Sequence, residues 1–294
     1  MVFNFLNLVH DLGFLVLVTI KSIRLQTNDF KMFITKKRAM VLGNGPSLTL
    51  DMQTILNRRA GADLYCLNAF ALTEYFSKLK PDFYVFADPM YWRDDINEDM
   101  KENRTDIISA LLEANWPIAV ICPMVGVPFL TNALSESQHI QIVGVNRNEC
   151  QFKIHSVQMF SLKYGLATPN FINVAILALW WCIVKNVPEI ELYGADFSSH
   201  LELRLDQDTG EASSSGGKHF YEDNKNDSMQ KHHRKYTEGP QRKMHERFFQ
   251  IWQAFYQMYL LSELSEAKNL RLTNLSSNTN LDTIIRPEYP STKL

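Results

Sequence analysis

The sequence predicts an α/β fold in which a mostly parallel β-sheet carries helices on both faces. From residue 39 onward, short β-rich runs alternate with longer helical runs, which is typical of this architecture. Residues 170–184 are apolar almost throughout, which indicates a helix buried at the centre of the fold. At 294 residues and 46% hydrophobic, the chain is long and apolar enough for one large domain or two small ones.

The elements follow one another in a regular order. Three early strands end at a glycine-rich turn, at Asn68 and at Asp88. A long loop, which we call the lid, covers residues 198–240 and includes a Ser/Gly run at 213–217. We predict strands at 39–42, 63–67, 83–87, 118–122, 140–143, 189–193 and 270–275, and helices at 51–59, 70–79, 170–184 and 240–266.

The first 37 residues form a separate apolar and basic segment. The uninterrupted apolar run, 12–20, is too short to span a bilayer, and basic residues follow it rather than precede it, which excludes a typical signal peptide. Two interpretations stay open: a helix packed on the domain, which is favoured, and a peripheral helix on the inner membrane. Residues 287–294 are expected to be a tail.

Charge and cysteine content narrow the function classes. Thirty basic and 32 acidic side chains give a net charge of -2, which provides no overall field for binding nucleic acid. The four cysteines are scattered without a C-x-x-C pair, as in reduced cytoplasmic proteins. A zinc ribbon and a disulfide scaffold are therefore excluded.

The strongest local motif is VLGNGPSL, residues 41–48. A strand that stops at G-x-G-P and restarts as a helix is expected to present backbone N–H groups to a phosphate, with Asn44 and Gly45 beside it. The motif is neither G-x-G-x-x-G nor a P-loop, so the common dinucleotide and nucleoside-triphosphate interpretations lose support. A simple tight turn is the alternative.

Polar residues follow three further strands. Asn68 and Asp88 each follow a strand, and YGADF places Gly194 and Asp196 after another, where ligands of open α/β sheets collect. Taken singly, Asn68 and Asp88 are each better explained as a cap of the next helix than as a ligand contact. No D-x-D pair stands at a strand end, so we predict no metal site, although Asp88 and Asp196 could together suit magnesium.

The lid concentrates histidines among basic residues. His219, His232, His233 and His245 lie within 27 positions of one another, surrounded by lysines and arginines. Such a loop could neutralise a phosphate and supply a general base. An exposed basic loop is the alternative.

The order of these motifs resembles a known family. LGNGPSL, LNAF, KPDFYVFADP, the turn at 167–169, ELYGADF, HFY and NLSSNTNLD occur in sequence between residues 38 and 286. This order resembles the bacterial sialyltransferases of glycosyltransferase family 42, of the Campylobacter lipooligosaccharide type. It also resembles bacterial polysaccharide proteins with a domain similar to 6-hydroxymethylpterin pyrophosphokinase.

The resemblance implies one variant Rossmann-type domain, residues 38–286 with the lid, that binds a CMP-activated sugar. It implies no cofactor, a glycan or glycolipid acceptor at the bacterial surface, and inversion at the anomeric carbon. By this resemblance, Asn44 and Gly45 would contact the phosphate and ribose of the donor, and Asn68 would lie near its sugar or phosphate. Thr168 would contact the donor carboxylate, and Gly194 and Asp196 would flank the cytidine. His219 would be the general base, with His232 or His233 in reserve.

One departure from the family leaves the donor open. Asp88 stands where the sialyltransferases have asparagine, and a carboxylate near an anionic donor is repulsive unless it contacts hydroxyls. Kdo or another nonulosonic acid therefore fits as well as sialic acid. Two other functions remain: an ATP- and magnesium-dependent pyrophosphokinase of the pterin type, and a non-catalytic scaffold that binds a nucleotide sugar or a glycan.

Overall fold

The computed structural model describes residues 2–24, 36–149, 152–205, 207, 212–214, 220 and 243–287. Its centre is a seven-stranded sheet in which every neighbouring pair is parallel, as the sequence predicts. The strands are β1 (Arg38–Leu42), β2 (Asp63–Leu67), β3 (Phe83–Val85), β4 (Ile118–Pro123), β5 (Ile140–Val145), β6 (Glu189–Tyr193) and β9 (Arg271–Asn274). A separate antiparallel pair joins β7 (Leu203–Leu205) to β8 (Ala212–Ser214).

The strand order is β5-β4-β3-β2-β1-β6-β9. The chain therefore builds outward from β1 to β5 on one side, then crosses back to place β6 on the other side of β1. Between β1 and β6 the direction of winding reverses. In doubly wound sheets this switch point leaves a crevice beyond the carboxyl ends of the two strands.

Helices cover both faces of the sheet, and alternate strand residues point into the two cores. One core lies between one face of strands β1 to β4 and the helices that follow these strands. The other core lies between the opposite face of the sheet and helices α7 and α8. The helices are α1 (Val2–Arg24), α2 (Leu48–Arg58), α3 (Tyr75–Leu79), α4 (Glu98–Leu112), α5 (Val127–Ala133), α6 (His155–Lys163), α7 (Val174–Val184) and α8 (Met244–Ala267).

The predicted central helix is confirmed as α7, which is buried from Ala175 to Ile183. It begins four residues later than predicted, because the Asn173 side chain accepts a hydrogen bond from the Ala175 N–H (2.9 Å) and caps it there. Its carboxyl end leads through a short turn to the amino end of β6. The amino end of α7 therefore lies at the carboxyl edge of the sheet.

The predicted helix 70–79 is wrong in its extent. The structure divides this stretch into a 3-10 helix, Asn68–Leu72, and α3, separated by extended backbone at Thr73 (φ -97, ψ 152). The Thr73 hydroxyl donates to the Phe70 carbonyl (2.8 Å), which ends the first helix locally.

Helix α1 lies against the start of α6. The buried Asp11 carboxylate accepts hydrogen bonds from the N–H groups of Lys153 (3.1 Å) and Ile154 (2.7 Å), and the Phe14 ring meets the Phe152 ring edge to face. Leu15 packs against the core. Among the helices that the structure describes, none is both long and apolar enough to cross a membrane.

Candidate functional site

The site that we consider is the carboxyl edge of the sheet at the switch point between β1 and β6. Two glycine turns meet there: Gly43–Gly45 follows β1, and Gly194 follows β6. The Gly43 N–H donates to the Tyr193 carbonyl (2.7 Å), and the Gly45 N–H donates to the Gly194 carbonyl (2.8 Å). The two turns thus continue the β1–β6 ladder beyond the strands and lock together.

The turns approach so closely that side chains have no room. A Cβ on Gly43 would lie 2.4 Å from the Gly194 carbonyl oxygen, and a Cβ on Gly45 would lie 1.8 Å from an Asp196 carboxylate oxygen. Gly194 also has a positive φ of 60°, which a residue with a side chain rarely adopts. Packing of one turn on the other is therefore enough to explain these glycines.

Asp196 occupies the amino end of α2. Its carboxylate accepts from the Ser47 N–H (3.2 and 3.3 Å) and from the Ser47 hydroxyl (2.9 Å). Burial raises the pKa of Asp196, and the hydrogen bonds from Ser47 act in the opposite direction. An anion is favoured at this position by the helix dipole, and the protein supplies its own.

This arrangement corrects the expectation that the glycine turn presents a row of N–H groups to a phosphate. The N–H groups of Gly43 and Gly45 bond the β6 turn, and that of Ser47 bonds Asp196. In the sequence these N–H groups have no visible bonding partners, because the groups that they bond lie about 150 positions away. A phosphate at this edge must be held by other groups.

Two asparagines lie at the neighbouring ends of β1 and β2. The Asn44 side-chain amide donates to the Leu67 carbonyl (3.0 Å), and Asn68 is the next residue along the chain. Asn68 has a positive φ of 50°, and the Tyr84 hydroxyl donates to its carbonyl oxygen. Its side-chain oxygen is buried and accepts no hydrogen bond within the described part of the chain.

Asn68 therefore combines backbone strain with an unsatisfied acceptor. Each of these costs free energy in an ordinary turn, so their coincidence at a sheet edge marks a position suited to a ligand that donates a hydrogen bond. Asn68 does not cap the 3-10 helix that it begins, because its side-chain oxygen accepts no hydrogen bond from any residue that the structure describes.

The chain preceding α8 returns to this edge at Phe220. The Phe220 N–H donates to the Asn44 carbonyl (3.1 Å), and its ring lies 5.6 Å from that of Phe70. Sequence reasoning missed Phe220, since a backbone contact leaves no trace in residue type; the nearest signal is the HFY motif itself. The predicted bases His219, His232 and His233, like most of the lid, lie outside the described residues.

Asp88 and Thr168 lie further along the same edge. The Asp88 carboxylate accepts from the Met90 N–H (3.1 Å) and caps the 3-10 helix Pro89–Tyr91, which is the capping role that the sequence left open. Thr168 lies in the turn before α7, and its hydroxyl accepts from the Asn148 N–H (3.0 Å). The structure thus gathers Asn44, Gly45, Asn68, Gly194 and Asp196 at the switch point, with Asp88 beyond β3.

Residues after β9 brace the β6 turn. The Ser276 hydroxyl accepts from the Ala195 N–H (2.9 Å), Thr279 donates to the Ala195 carbonyl (2.6 Å), and the Asn280 N–H donates to the Asp196 carbonyl (2.8 Å). These residues belong to the NLSSNTNLD motif, whose role the sequence does not reveal. Their hydroxyl and amide groups hold Asp196 in place.

The Asp196 carboxylate is already engaged within the protein. Both of its oxygens accept hydrogen bonds from Ser47, which leaves fewer lone pairs for a cation. Within the described ranges, no group of three or more His, Cys, Asp or Glu side chains is arranged to hold a metal ion.

Two open cavities lie away from this edge, at the amino ends of the strands. One, of about 680 Å³, is lined by Asp63, Asp82 and His139 among others; the other, of about 340 Å³, lies between α8 and β9. At the larger cavity, Lys36 bonds Asp63 (3.3 Å) and Asp82 (3.2 Å), which ties the chain entering β1 to the sheet. Burial raises the pKa of Asp63, against the effect of Lys36.

Comparison with solved structures finds a distant structural likeness. The chain resembles the MAf glycosyltransferase from Magnetospirillum magneticum AMB-1, with 12% sequence identity and a TM-score of 0.48 over 92% of this chain and 36% of that one. The chain therefore spans about a third of the length of that structure. No family model matches the sequence, and no curated protein matches it.

Proposed function

We propose that the protein is a glycosyltransferase that transfers a CMP-activated nonulosonic acid, such as sialic acid or Kdo, to a glycan or glycolipid acceptor of the bacterial surface. The observation that carries the proposal is the meeting of three segments at the switch point. The glycine turn, Asn68 and Phe220 come together there, in the motif order that resembles family 42.

The nucleotide is assigned to the crevice beside Asn44 and Asn68. The unsatisfied Asn68 side-chain oxygen is an acceptor for a hydroxyl or amino group, and both are present on cytidine. Gly45, Gly194 and Asp196 interlock at the same edge, and we assign them to contact with the nucleotide. Thr168 precedes α7, whose amino end lies at the same edge, and we assign it to the donor carboxylate.

The general base is assigned to His219, which directly precedes Phe220 in the sequence. In the reaction, the bond from the anomeric carbon to the CMP phosphate breaks, and CMP leaves with the bonding electrons. The acceptor oxygen bonds to the oxocarbenium-like carbon from the opposite face as the histidine takes its proton. A neutral imidazole with a pKa near 7 suits this step.

The first test is a thermal-shift titration with CMP, CDP, UDP, GDP and ATP, each with magnesium or with EDTA. A ligand that binds only the folded state raises its melting temperature. Stabilisation by CMP or CDP in EDTA is expected. A shift only with ATP and magnesium would favour the pyrophosphokinase, and no shift with any nucleotide would favour the scaffold.

A matched pair of variants tests the Asn68 assignment. Asn68→Gly removes the amide but tolerates the positive φ, so the turn should keep its shape. CMP affinity should fall about tenfold, as expected for one lost hydrogen bond. Asn269→Gly makes the same change at another positive φ of 55°, after α8 at the opposite edge, and should bind CMP like the wild type. Equal affinity in Asn68→Gly would contradict the assignment.

The base is tested separately. His219→Ala should lower transfer by roughly 10²–10⁴-fold while CMP still binds. If His219→Ala transfers at the wild-type rate, the same measurement on His232→Ala and His233→Ala identifies the base.

A further inference from the structure

The outward surface of α1 is apolar, which is the reverse of what a helix packed on a soluble domain ordinarily shows. Its side chains Leu6, Val9, Leu12, Val16 and Leu17 are 50 to 63% exposed. At 100° per residue they fall on one side of the helix, and Asp11 and Leu15 fall on the opposite side. A continuous aliphatic stripe therefore points away from the domain.

Helix α1 is held in this orientation by a polar clamp. Asp11 is fully buried and bonds the two N–H groups that open α6, and its neighbour His10 bonds it from the side (2.9 Å). A carboxylate at the start of a helix is favoured by the helix dipole. The side of α1 that carries Asp11 therefore faces the protein. Turning the apolar stripe inward would take the Asp11 carboxylate away from these N–H groups.

We propose that this stripe binds the surface of an anionic lipid bilayer, with α1 lying in the interface. Asp11 is the only acidic residue of α1, and it is enclosed, so the exposed surface carries no carboxylate to repel anionic headgroups. Lys21 and Arg24 belong to the last turn of the same helix, and basic residues at that end would attract anionic lipid. An exposed apolar stripe with a basic end is the pattern of an interfacial helix.

The charge pattern of α1 favours anionic lipid, rather than a second copy of the chain, as the binding partner of the stripe. A second copy of the chain would pair two helices that carry basic residues and no exposed acidic ones, whereas a bilayer of anionic lipid offers the opposite charge. The inference is independent of the proposed transferase reaction, because it uses only the position and surface of α1.

Flotation of the full chain with vesicles tests the proposal. The wild type should float with vesicles of equal parts phosphatidylcholine and phosphatidylglycerol, and should remain in solution with pure phosphatidylcholine or at high salt. The double variant Val16→Gln/Leu17→Gln should lower the partition coefficient about a hundredfold. Circular dichroism checks that the variant keeps its helices.

A matched variant controls for the loss of surface hydrophobicity. Val125→Gln/Leu50→Gln removes one valine and one leucine that are 68% and 71% exposed elsewhere, and it should float like the wild type. Lys21→Gln/Arg24→Gln should lower binding about 20-fold and weaken its salt dependence. These two results together would support both the apolar and the charged part of the proposal.

Three outcomes would overturn it. The wild type could remain in solution with anionic vesicles. The Val16→Gln/Leu17→Gln variant could float as well as the wild type, which would place binding elsewhere. Light scattering without vesicles could show a wild-type dimer that the same variant dissociates, which would assign the stripe to a second copy.

Discussion

Replacing Gly45 by alanine should destabilise the protein because the added methyl group collides with the β6 turn. The new methyl carbon would lie 1.8 Å from an Asp196 oxygen and 2.7 Å from the Gly194 carbonyl oxygen, well inside the 3.0 Å that real Cβ atoms keep. The Asp196 carboxylate must then move by more than 1 Å and give up its hydrogen bonds to Ser47. Hydrogen bonds to a charged group are worth about 1.5–3 kcal/mol each, so the expected loss is about 3–5 kcal/mol.

Urea unfolding measures this loss. Gly13→Ala is the matched control, since a methyl group there meets nothing within 4 Å and lies inside α1. Alanine is the better helix former, so the control should be unchanged or more stable by up to about 1 kcal/mol. The midpoint for Gly45→Ala should fall, and its slope should match the wild type if only stability has changed.

A double-mutant cycle shows whether Asp196 is the cause. In an Asp196→Ala background the carboxylate is absent, so Gly45→Ala should cost at least about 1 kcal/mol less than in the wild type. Part of the cost should persist because the Gly194 carbonyl still lies in the way. Strictly additive losses, or a Gly45→Ala protein as stable as the wild type, would refute the interlocking of the two turns.

Three further predictions concern Asp196, Asp11 and Leu177. Burial raises the pKa of Asp196 above 3.8, so as the pH falls the folded protein takes up this proton before the unfolded chain does. The free energy of unfolding of the wild type relative to Asp196→Asn should therefore be higher at acidic pH and should fall as the pH rises towards neutral, measured by urea unfolding at each pH. Burial acts to raise the pKa of Asp11, but the hydrogen bonds from His10 and from the start of α6 lower it overall. The stabilisation that the Asp11 carboxylate gives should therefore be lost only as the pH falls through the lowered pKa of the folded protein. Asp11→Asn should already release α1 at neutral pH, and limited proteolysis would detect both effects. Leu177→Ala, at a fully buried position of α7, should cost about 2–5 kcal/mol in the same unfolding assay, and a smaller loss would contradict the tight packing of this helix.

The sequence predicts the sheet well because its strands carry a local signal. The strands at 63–67 and 189–193 have the predicted bounds, since each is a short β-rich run closed by a polar or glycine residue. The stretch after Asn68 is predicted less well. Its split at Thr73 depends on a side-chain hydrogen bond that propensity does not register.

The candidate site is predictable in its location but not in its bonding. Parallel strands bring Asn68 and the two glycine turns to one edge, and the order of the motifs is enough to expect this. That the Gly45 N–H bonds a carbonyl of the other turn, and that Asp196 caps α2, are contacts between distant parts of the chain. No local pattern encodes them.

The amino-terminal helix shows the same limit. Its apolar run suggests burial, yet the structure buries Asp11 and exposes Val16 and Leu17. The explanation is the pair of N–H groups before α6, which offers a carboxylate better partners than water does. Hydrophobicity alone predicts that α1 is a helix, but it would place the apolar side of α1 against the domain rather than the side that carries Asp11.

The pairing of β1 with β6 also sets the timing of folding during synthesis. Ser47 and Asp196 are 149 positions apart, so at the usual pace of translation roughly 7 to 30 seconds separate their emergence. During that interval one edge of β1 has no partner strand, and an unpaired apolar edge is prone to aggregate. The half-sheet from β1 to β5 can form first, and the two glycine turns lock together only when β6 arrives. Nascent chains stalled before residue 189 should therefore engage chaperones, because this edge of β1 is still unpaired.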